Sequence, residues 1–399
     1  MVHVYELSLP AVEQEIAHDY FADNPADGKA MTGRLSCVWR LMWGVGAVAA
    51  GWLVDRYGAR RLLAAYLIGC AAACLMGARS SDQSTLMLAM ILMGGMASIY
   101  HPAGLALISH ETTAENRPRA LGIHGIFGSA GIGTGPLAVG ALLIWGCSWR
   151  QVFGWLAVPG ALLGAVFVWQ ALRTPMIESR AEAHPDDAAE QEHTDWRAYL
   201  VLTGLAVAQG FVYSALMSFL PRYLSGVQIG EMSQVSVANV SLSNDSGNFM
   251  ASGVLLIGCL GQWISGRLAR PRLLEWQLTM VMIGNVPFLL WMSFAQDWHR
   301  ALAAGLLALV HFMHQPIYNS LIAKYTPRVR RSLCYGFSFT CSLGVGSLGA
   351  LFAGANESDQ IVYGTLAAVT ALSGAIGMSL ALLARRVEPR EPTSDQLSF

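Results

Sequence analysis

A long apolar segment, residues 35–54, ends in a short turn that carries one carboxylate and three guanidinium groups. The turn follows the pattern Gly51-x3-Asp55-Arg56-x-Gly58-x-Arg60-Arg61. About 20 apolar residues are needed for an α-helix to cross a bilayer, and arginines collect on the cytoplasmic side of such helices. The segment therefore predicts a membrane-spanning helix that reaches the cytoplasmic surface at this turn.

Composition extends this prediction to the whole chain. Of its 399 residues, 54% are hydrophobic and only 13% are charged, whereas soluble domains carry about 25% charged residues. We expect eleven apolar spans, at residues 34–54, 62–79, 84–110, 119–144, 152–172, 197–222, 244–264, 273–295, 300–323, 333–354 and 361–384. The sequence thus predicts an all-α, multi-pass protein of the lipid bilayer, without a nucleic-acid partner.

Residues 1–21 contain only a short apolar stretch, yet they match a later helix. Leu7-Ser8-Leu9-Pro10 is similar to Ser218-Phe219-Leu220-Pro221. Twenty-four residues of the later run precede its proline, but only nine residues precede the first proline. We expect a first helix that is shortened at its N-terminus and represented by its outer half.

Charge distribution predicts the orientation. Eighteen of the 25 lysines and arginines fall in loops on one side of the expected helices, together with both termini and a polar connection. The positive-inside bias places that side in the cytoplasm of a bacterial-type inner membrane. We expect six-helix bundles at residues 1–172 and 197–384, a cytoplasmic linker at 173–196 and a cytoplasmic tail at 385–399.

An internal repeat supports two related bundles. Shifting residues 102–140 by 214 positions lays them on residues 316–354 without a gap and gives eight identities over 39 positions. The identities include Pro102 with Pro316, Arg117 with Arg331 and Gly140 with Gly354. Two related halves with a binding site between them near the bilayer midplane are typical of secondary transporters. We therefore expect pseudo-two-fold symmetry between the bundles.

The motifs also carry a family resemblance. The turn at residues 51–61 resembles the signature between helices 2 and 3 of major facilitator superfamily transporters. The resemblance implies that Asp55 lies near the cytoplasmic end of the eleventh helix and latches an outward-facing state. The conformational motifs that we assign comprise Gly51, Asp55, Arg56, Gly58, Arg60, Arg61, Arg117, Gly122, Gly131, Gly135, Pro136 and Gly140.

The run at residues 119–144, which is the fifth helix when the short first helix is counted, contains several of these motif residues. Its glycines permit close helix packing and Pro136 favours a bend. The glycine spacing resembles the antiporter signature of the superfamily, with Val139 in place of one glycine. Ile91 stands where the drug/proton antiporter pattern has an arginine. We expect Gly135 to pack against a helix of the opposite half.

A closer resemblance covers the N-terminal half. Tyr100-His101-Pro102 and the segment around His124 are similar to the fosmidomycin-resistance branch of the superfamily. So is Tyr5-Glu6-Leu7-Ser8-Leu9-Pro10. This resemblance implies an exporter-like antiporter, although relatives of one fold need not share a substrate.

Two charged residues inside apolar runs are the main candidates for coupling, because burial of a charge in a membrane costs several kcal/mol unless the charge is paired or hydrated. Arg40 precedes Gly51 by eleven residues, about 16 Å at 1.5 Å per residue, which places it near the midplane. Glu6 reaches a similar depth in the first helix. They form either a static ion pair or a functional pair in which Glu6 carries a proton and Arg40 binds an anionic substrate.

Histidine titrates near neutral pH, so the intramembrane histidines are further candidates for substrate binding or coupling. A structural, hydrogen-bonded role is the alternative for each of them. The full candidate set comprises Glu6, Arg40, Tyr100, His101, His124, Gln209, Tyr213, Asn244, Asp245, His311, His314 and Gln315. His311-x2-His314 lacks further ligands in the sequence, so no metal site is expected, and no cofactor is implied.

Three hypotheses for function follow. The first is proton-coupled export of a small organic solute, with an organic anion as one candidate class, by alternating access. The second is proton-coupled uptake of an organic anion, and the third is a non-transporting receptor or sensor with a transporter fold. Neither a nucleophile and base pair nor an ATP-binding glycine loop stands out, so neither an enzyme nor an ATP-driven pump is expected. We expect the protein to act as a monomer.

Overall fold

The computed structural model describes residues 1–112, 117–173, 194–227, 242–327 and 330–387. Throughout these ranges the chain is helical and contains no β-strand. The α-helices are α1 (Val2–Ala11), α2 (Glu13–Tyr20), α3 (Pro25–Tyr57), α4 (Ala59–Ala78), α5 (Gln83–Ala97), α6 (Tyr100–Glu111), α7 (Arg117–Ile144), α8 (Trp149–Arg173), α9 (Trp196–Ser225), α10 (Leu242–Leu268), α11 (Leu274–Phe294), α12 (Trp298–His311), α13 (His314–Tyr325), α14 (Arg331–Phe339), α15 (Leu348–Gly354) and α16 (Asp359–Val387). We call α1–α8 the first half and α9–α16 the second half.

Eleven helical segments of the described chain are long and apolar enough to cross a membrane. They match the eleven predicted runs, with differences mainly at the ends. The largest difference is at α3, which begins at Pro25 rather than near residue 34. Asn24 caps α3 by accepting a hydrogen bond from the Asp27 backbone N–H, and Pro25 occupies a first-turn position that tolerates its missing donor. The polar first turns of α3 therefore extend the helix beyond its apolar run.

The segment before α3 folds as two short helices. Pro10 lies in the last turn of α1, and the helix ends at Ala11 before α2 begins at Glu13. Pro10 has no backbone donor for a helical hydrogen bond, which favours a break near this position. Tyr5, Glu6 and Leu9 are nonetheless almost completely buried. The short α1 is thus an internal element and not a surface appendage.

The repeat seen in the sequence has a structural counterpart. With the short first helix counted as the first span, the fourth span (α5 and α6) is interrupted between Ala97 and Tyr100, and the tenth span (α12 and α13) is interrupted between His311 and His314. A shift of 214 residues superimposes both the ends and the starts of these helix pairs, and α6 and α13 are each 12 residues long. The two halves therefore share a broken helix at the same repeat position.

The eleventh span differs from its counterpart α7. Residues Thr340–Gly344 form a π-helical turn and Val345–Ser347 form a 3-10 turn between α14 and α15. In contrast, α7 runs without interruption over 28 residues. Single π-turns within helices are rare and are frequently found at functional sites.

Helix α3 contacts the second half closely from one end of the molecule to just past the middle of the helix. A Cβ added to Gly33 would lie 2.8 Å from Gly354 Cα, and a Cβ on Gly44 would collide with the Gly344 backbone. Glycine at these positions permits direct backbone contact between α3 and the eleventh span. We call the end near Gly33 the far end, which includes Tyr20, Ser225 and Asp359, and we call the opposite end the linker end.

Contact between α3 and the second half decreases towards the linker end. Beyond Gly44 in α3, Val48 and Trp52 are 50% and 61% exposed. A Cβ on Gly51 would meet no atom within 4 Å. The two halves therefore separate along α3, so that this conformation is closed at the far end.

Candidate functional site

A buried ion pair lies at the boundary between the halves. Arg40 Nη2 is 3.7 Å from Glu6 Oε1, and both side chains are at most 1% exposed. Tyr213 donates a hydrogen bond to Glu6 Oε1 at 2.9 Å, while Arg40 Nη1 donates to Ser218 Oγ at 2.9 Å. His3 Nδ1 lies 2.9 Å from Glu6 Oε2. Each member of the ion pair therefore has a neutral partner in α9 of the opposite half.

The arrangement leaves donor groups unused. Arg40 Nε is buried and has no hydrogen-bond partner within the described residues, and the buried Nη2 is engaged there only by the 3.7 Å ion contact with Glu6. The indole Nε1 of Trp43, one turn further along α3, is also buried without a partner in that part of the chain. Guanidinium and indole N–H groups can only donate hydrogen bonds. This region of α3 therefore offers donors to a ligand that brings acceptors.

An aromatic and histidine cluster extends from the ion pair. We call His3, Trp43, Tyr100, His101, His124 and Phe339 the aromatic cluster. Trp43 stacks on His101 with ring centroids 5.8 Å apart, and Tyr100 stacks on His124 at 5.7 Å. Five members belong to the first half, and Phe339 belongs to the second. The structure thus brings together three predicted residues, Tyr100, His101 and His124, beside Glu6 and Arg40.

A second set of charges closes the far end. Glu13 of α2 accepts two hydrogen bonds from Arg222 of α9, at 2.6 and 2.9 Å. Thr32 of α3 donates to the same carboxylate at 2.7 Å. The Glu13 side chain is 1% exposed. A bidentate arginine to carboxylate contact of this kind is strong and directional, so it fixes the relative position of the two halves.

A small polar cavity lies next to this pair. Its volume is about 200 Å³, and its lining includes Lys29, Arg222, Arg300 and Asp359. Lys29 Nζ donates to the Asn356 backbone oxygen at 2.5 Å and crosses between the halves. Arg300 pairs with Asp359 at 3.1 Å within the second half. Because these cations are engaged by nearby acceptors, the cavity forms part of the far-end closure.

The remaining polar candidates occupy the second half. His311 ends α12 and His314 begins α13, where its ring stacks on Tyr318 at 5.1 Å. Gln209 of α9 is 4% exposed, and its amide has no hydrogen-bond partner in the described ranges. The side chains of Asn244 and Asp245 lie outside the described residues. His311 and His314 thus lie on other second-half elements than Tyr213 and Phe339, which contact the first-half site, whereas Gln209 lies on α9 one turn before Tyr213.

Gln315 belongs to a relay that joins the halves. Its Oε1 accepts a hydrogen bond from Gln262 Nε2 at 2.5 Å. Ser129 of α7 donates to Gln262 Oε1, also at 2.5 Å. The relay connects α7 of the first half with α10 and α13 of the second. Gln262 was not among the sequence candidates.

The motif at residues 51–61 occupies the linker end. Asp55 is exposed at the last turn of α3, and Gly58 adopts a φ of 85°, a conformation that favours glycine. Arg60 of α4 pairs with Glu111 of α6. Arg56 lies over the rings of Trp52 and Tyr57, and Arg61 is exposed. The described contacts do not test the predicted Asp55 latch, which stays a prediction.

The expectation for Gly135 is wrong. A Cβ on Gly135 would meet Leu7 and His3 of α1, in the same half, and Gly131 also faces His3. The glycines of α7 that face the opposite half are Gly133, against Leu256, and Gly140, against Asn248. Because apolar residues surround α7, its sequence shows no face that is reserved for the other half.

The other three motif positions of α7 are Pro136, Arg117 and Gly122. Pro136 lies inside the continuous α7. The side chain of Arg117 and the surroundings of Gly122 lie outside the described residues. The structure therefore supports a packing role for Gly131, Gly135 and Gly140, each against a named neighbour.

The sequence profile of the Major Facilitator Superfamily matches residues 9–350. The chain belongs to this superfamily. Its members are transporters, and this chain has the all-helical fold of an integral multi-pass membrane protein. The predicted fold class and family are thereby confirmed.

Several relatives share part of the sequence. The puromycin resistance protein of Streptomyces alboniger is 31% identical over 163 residues, which cover 40% of this chain and 30% of that protein. A putative glycerol-3-phosphate transporter of Arabidopsis thaliana is 29% identical over 201 residues, covering 46% of this chain and 36% of that protein. The matches thus span about a third of these curated relatives.

Solved structures confirm the fold over nearly the whole chain. A bacterial homologue of the lysosomal transporter Spinster, described as inward-facing and occupied, gives a TM-score of 0.66 at 14% identity and covers 97% of this chain and 96% of that chain. The peptide transporter POT in complex with sulfate gives 0.70 at 14% identity, with coverage of 96% and 94%. At this identity the likeness concerns the fold alone.

Several contacting residues were missed by sequence reasoning. His3 lies three residues before Glu6, and Trp43 lies three residues after Arg40, so both belong to the same helical faces as the predicted ion pair. This spacing was a usable signal. Phe339 and Ser218 had no comparable signal, because their roles depend on contacts between distant helices.

Proposed function

We propose that this facilitator is a proton-coupled exporter of a small organic solute and works by alternating access across the cytoplasmic membrane. The observation that carries the proposal is the buried Glu6 and Arg40 pair with partners in both halves. Ionisable groups inside a membrane protein are costly to bury and rare, and they typically mark binding or coupling sites. Its position at the boundary of the halves gives its charge state a direct effect on their contact.

The proposed mechanism begins with the empty protein. Ionised Glu6 attracts Arg40 and accepts the hydrogen bond from Tyr213, which holds the far end closed. A proton on Glu6 removes the attraction to Arg40 and weakens the Tyr213 contact. An anionic group on the solute competes with Glu6 and Ser218 for Arg40 and so weakens the Arg40 to Ser218 hydrogen bond that joins the halves. Binding of either the proton or the solute thus permits the closed far end to open. The protein without either one stays closed at the far end, as exchange requires.

The moving units in this proposal are the predicted bundles, residues 1–172 and 197–384, with 173–196 as the linker and 385–399 as the tail. The linker end faces the cytoplasm, because most of the arginine and lysine loops lie there. The conformation closed at the far end is then inward-facing. The chain acts as a monomer, with the solute, protons and lipid as its partners.

Uptake remains a second candidate for a specific reason. The unpartnered N–H groups of Arg40 suit an organic anion in either transport direction, and one relative is named a glycerol-3-phosphate transporter. The name of the puromycin resistance protein supports export of an organic compound. Export and uptake are distinguished by the sign of the proton gradient that drives accumulation of the solute.

The test uses purified protein in liposomes that contain a trapped pH-sensitive dye. A panel of organic anions and antibiotics is added with a proton gradient of each sign, and external addition is compared with internal loading. We expect a compound to move protons in the opposite direction to itself. Glu6→Gln should abolish this proton movement while unlabelled compound still exchanges for labelled compound. Solute movement that is independent of the gradient in the unmodified protein would refute proton coupling.

A further inference from the structure

The aromatic cluster is divided unequally between the two halves. Trp43 and His101 of the first half stack on each other, and the ring of Phe339 reaches them from the second half. Its centroid lies 5.5 Å from that of Trp43 and 5.2 Å from that of His101, and both contacts are edge-on. Edge-on contact at this distance is a favourable geometry for two aromatic rings. Phe339 therefore occupies a ring-sized position beside Trp43 and His101.

The repeat shows that an aromatic side chain at this position is not common to the two halves. A shift of 214 residues places Phe339 on Gly125 of α7. A Cβ on Gly125 would meet nothing within 4 Å. The equivalent position of the first half is thus open, while the second half fills it with an aromatic side chain.

The backbone next to Phe339 has an irregular conformation. Phe339 is the last residue of α14, and the π-helical turn begins at Thr340. Thr340 Oγ1 donates a hydrogen bond to the Gly44 backbone oxygen at 2.8 Å, one residue from Trp43. Single π-turns within helices are rare and are frequently found at functional sites. Phe339 therefore lies directly beside an irregular turn that contacts α3 next to Trp43.

The unsatisfied groups around this position indicate the chemistry of a ligand. Trp43 Nε1, Arg40 Nε and Arg40 Nη2 are buried donors without a hydrogen-bond partner in the described residues. A buried donor without a partner is unfavourable, so a ligand that brings an acceptor gains affinity by satisfying it. These donors lie on one face of α3, within four residues of each other.

We infer that Phe339 stands in for the ligand, and that the transported solute is a planar aromatic compound with a hydrogen-bond acceptor such as a carboxylate or carbonyl group. Its ring replaces that of Phe339 beside Trp43 and His101, and its acceptor meets the donors of Arg40 and Trp43. The inference rests on the proposed function in that it uses the same site. It adds the substrate class, which that proposal leaves open.

The test measures binding to purified protein in lipid nanodiscs by calorimetry, with empty nanodiscs as the blank. The probes are 2-naphthoate, 2-naphthamide, the saturated decahydro-2-naphthoate and 2-naphthylmethylammonium. We expect naphthoate and naphthamide to bind, the saturated acid to bind about two- to tenfold more weakly, and the donor-only ammonium to bind most weakly.

Variants test the role of Phe339. Phe339→Ala removes the competing ring and should tighten naphthoate binding about two- to tenfold, while Trp43→Leu should weaken it by a similar factor. The matched controls are Phe337→Ala and Trp155→Leu, because both side chains are exposed, at 46% and 58%, and lie outside the cluster. Neither control should change the affinity.

Three results would overturn the inference. These are unchanged or weaker binding to Phe339→Ala, equal affinity for the saturated acid, and lack of binding by every probe to both the unmodified protein and Phe339→Ala. Binding is measured without a proton gradient, so a failure of proton coupling leaves this test intact. Conversely, gradient-driven transport of a non-aromatic solute would refute the substrate class and leave the coupling mechanism in place.

Discussion

The fourth and tenth spans have the same backbone break but carry different chemistry. Tyr100 and His101 follow the break in the first half and contact His124, Trp43 and His3. His314 and Gln315 follow it in the second half, where His314 stacks on Tyr318 and Gln315 joins the Gln262 relay. The repeat therefore preserved the geometry of the helix pair, while its side chains diverged.

The division of charge between the halves extends this contrast. Glu6 and Arg40 both belong to the first half, whereas their partners in the second half, Tyr213 and Ser218, are neutral. A change in the charge of Glu6 or Arg40 can therefore alter the contact between the halves without a change of charge in the second half. The comparison predicts that first-half substitutions affect coupling strongly and that second-half substitutions adjust it.

The largest effect is expected from Arg40→Ala. It leaves the buried Glu6 carboxylate without its cation, which costs about 3–5 kcal/mol for a buried pair. Transport should be lost and the melting temperature should fall. The double variant Glu6→Gln with Arg40→Gln should recover much of the stability but not the transport, because no unpaired charge remains. An unaltered melting temperature in Arg40→Ala would show that the pair contributes little to the contact between the halves.

A smaller effect is expected at the glycine seam. Gly44→Ala forces a methyl group against the Gly344 backbone, and such overpacking costs about 1–3 kcal/mol. The far-end-closed conformation should become less stable, and this shift is measured by reagent access to a cysteine placed at the far end. Gly51→Ala is the matched control on the same helix, since its Cβ meets nothing within 4 Å. Equal behaviour of the two variants would contradict the closed seam.

The smallest effect is expected from Tyr213→Phe, which removes one second-half hydrogen bond to Glu6. A single hydrogen bond contributes about 0.5–1.5 kcal/mol, or roughly a two- to tenfold change in an equilibrium. Solute exchange should persist, and the pH midpoint of proton-driven flux should shift because the Glu6 carboxylate has lost a donor. Complete loss of proton coupling in Tyr213→Phe would contradict the prediction that second-half substitutions only adjust coupling.

The sequence predicted the spans well because each needs its own long apolar run. It also placed Glu6 and Arg40 at similar depths, and depth along a helix follows from residue count. The sequence could not predict that Glu13 meets Arg222, because their contact depends on how two helices 209 residues apart are oriented. The faces of α7 were unpredictable for a related reason, since Gly133 and Gly135 differ only in rotation about a helix that is apolar on all sides.

The central claim is that the charge of Glu6 controls closure of the far end. Spin labels at His18 and Gln360 report this closure, because both residues are exposed at the far end and belong to opposite halves. Pulsed electron paramagnetic resonance would measure their separation at neutral and acidic pH, in a variant from which the seven native cysteines have been removed. We predict a longer distance at acidic pH, and a long distance at both pH values in Glu6→Gln. A distance that is independent of pH, or a closed far end in Glu6→Gln, would contradict the claim.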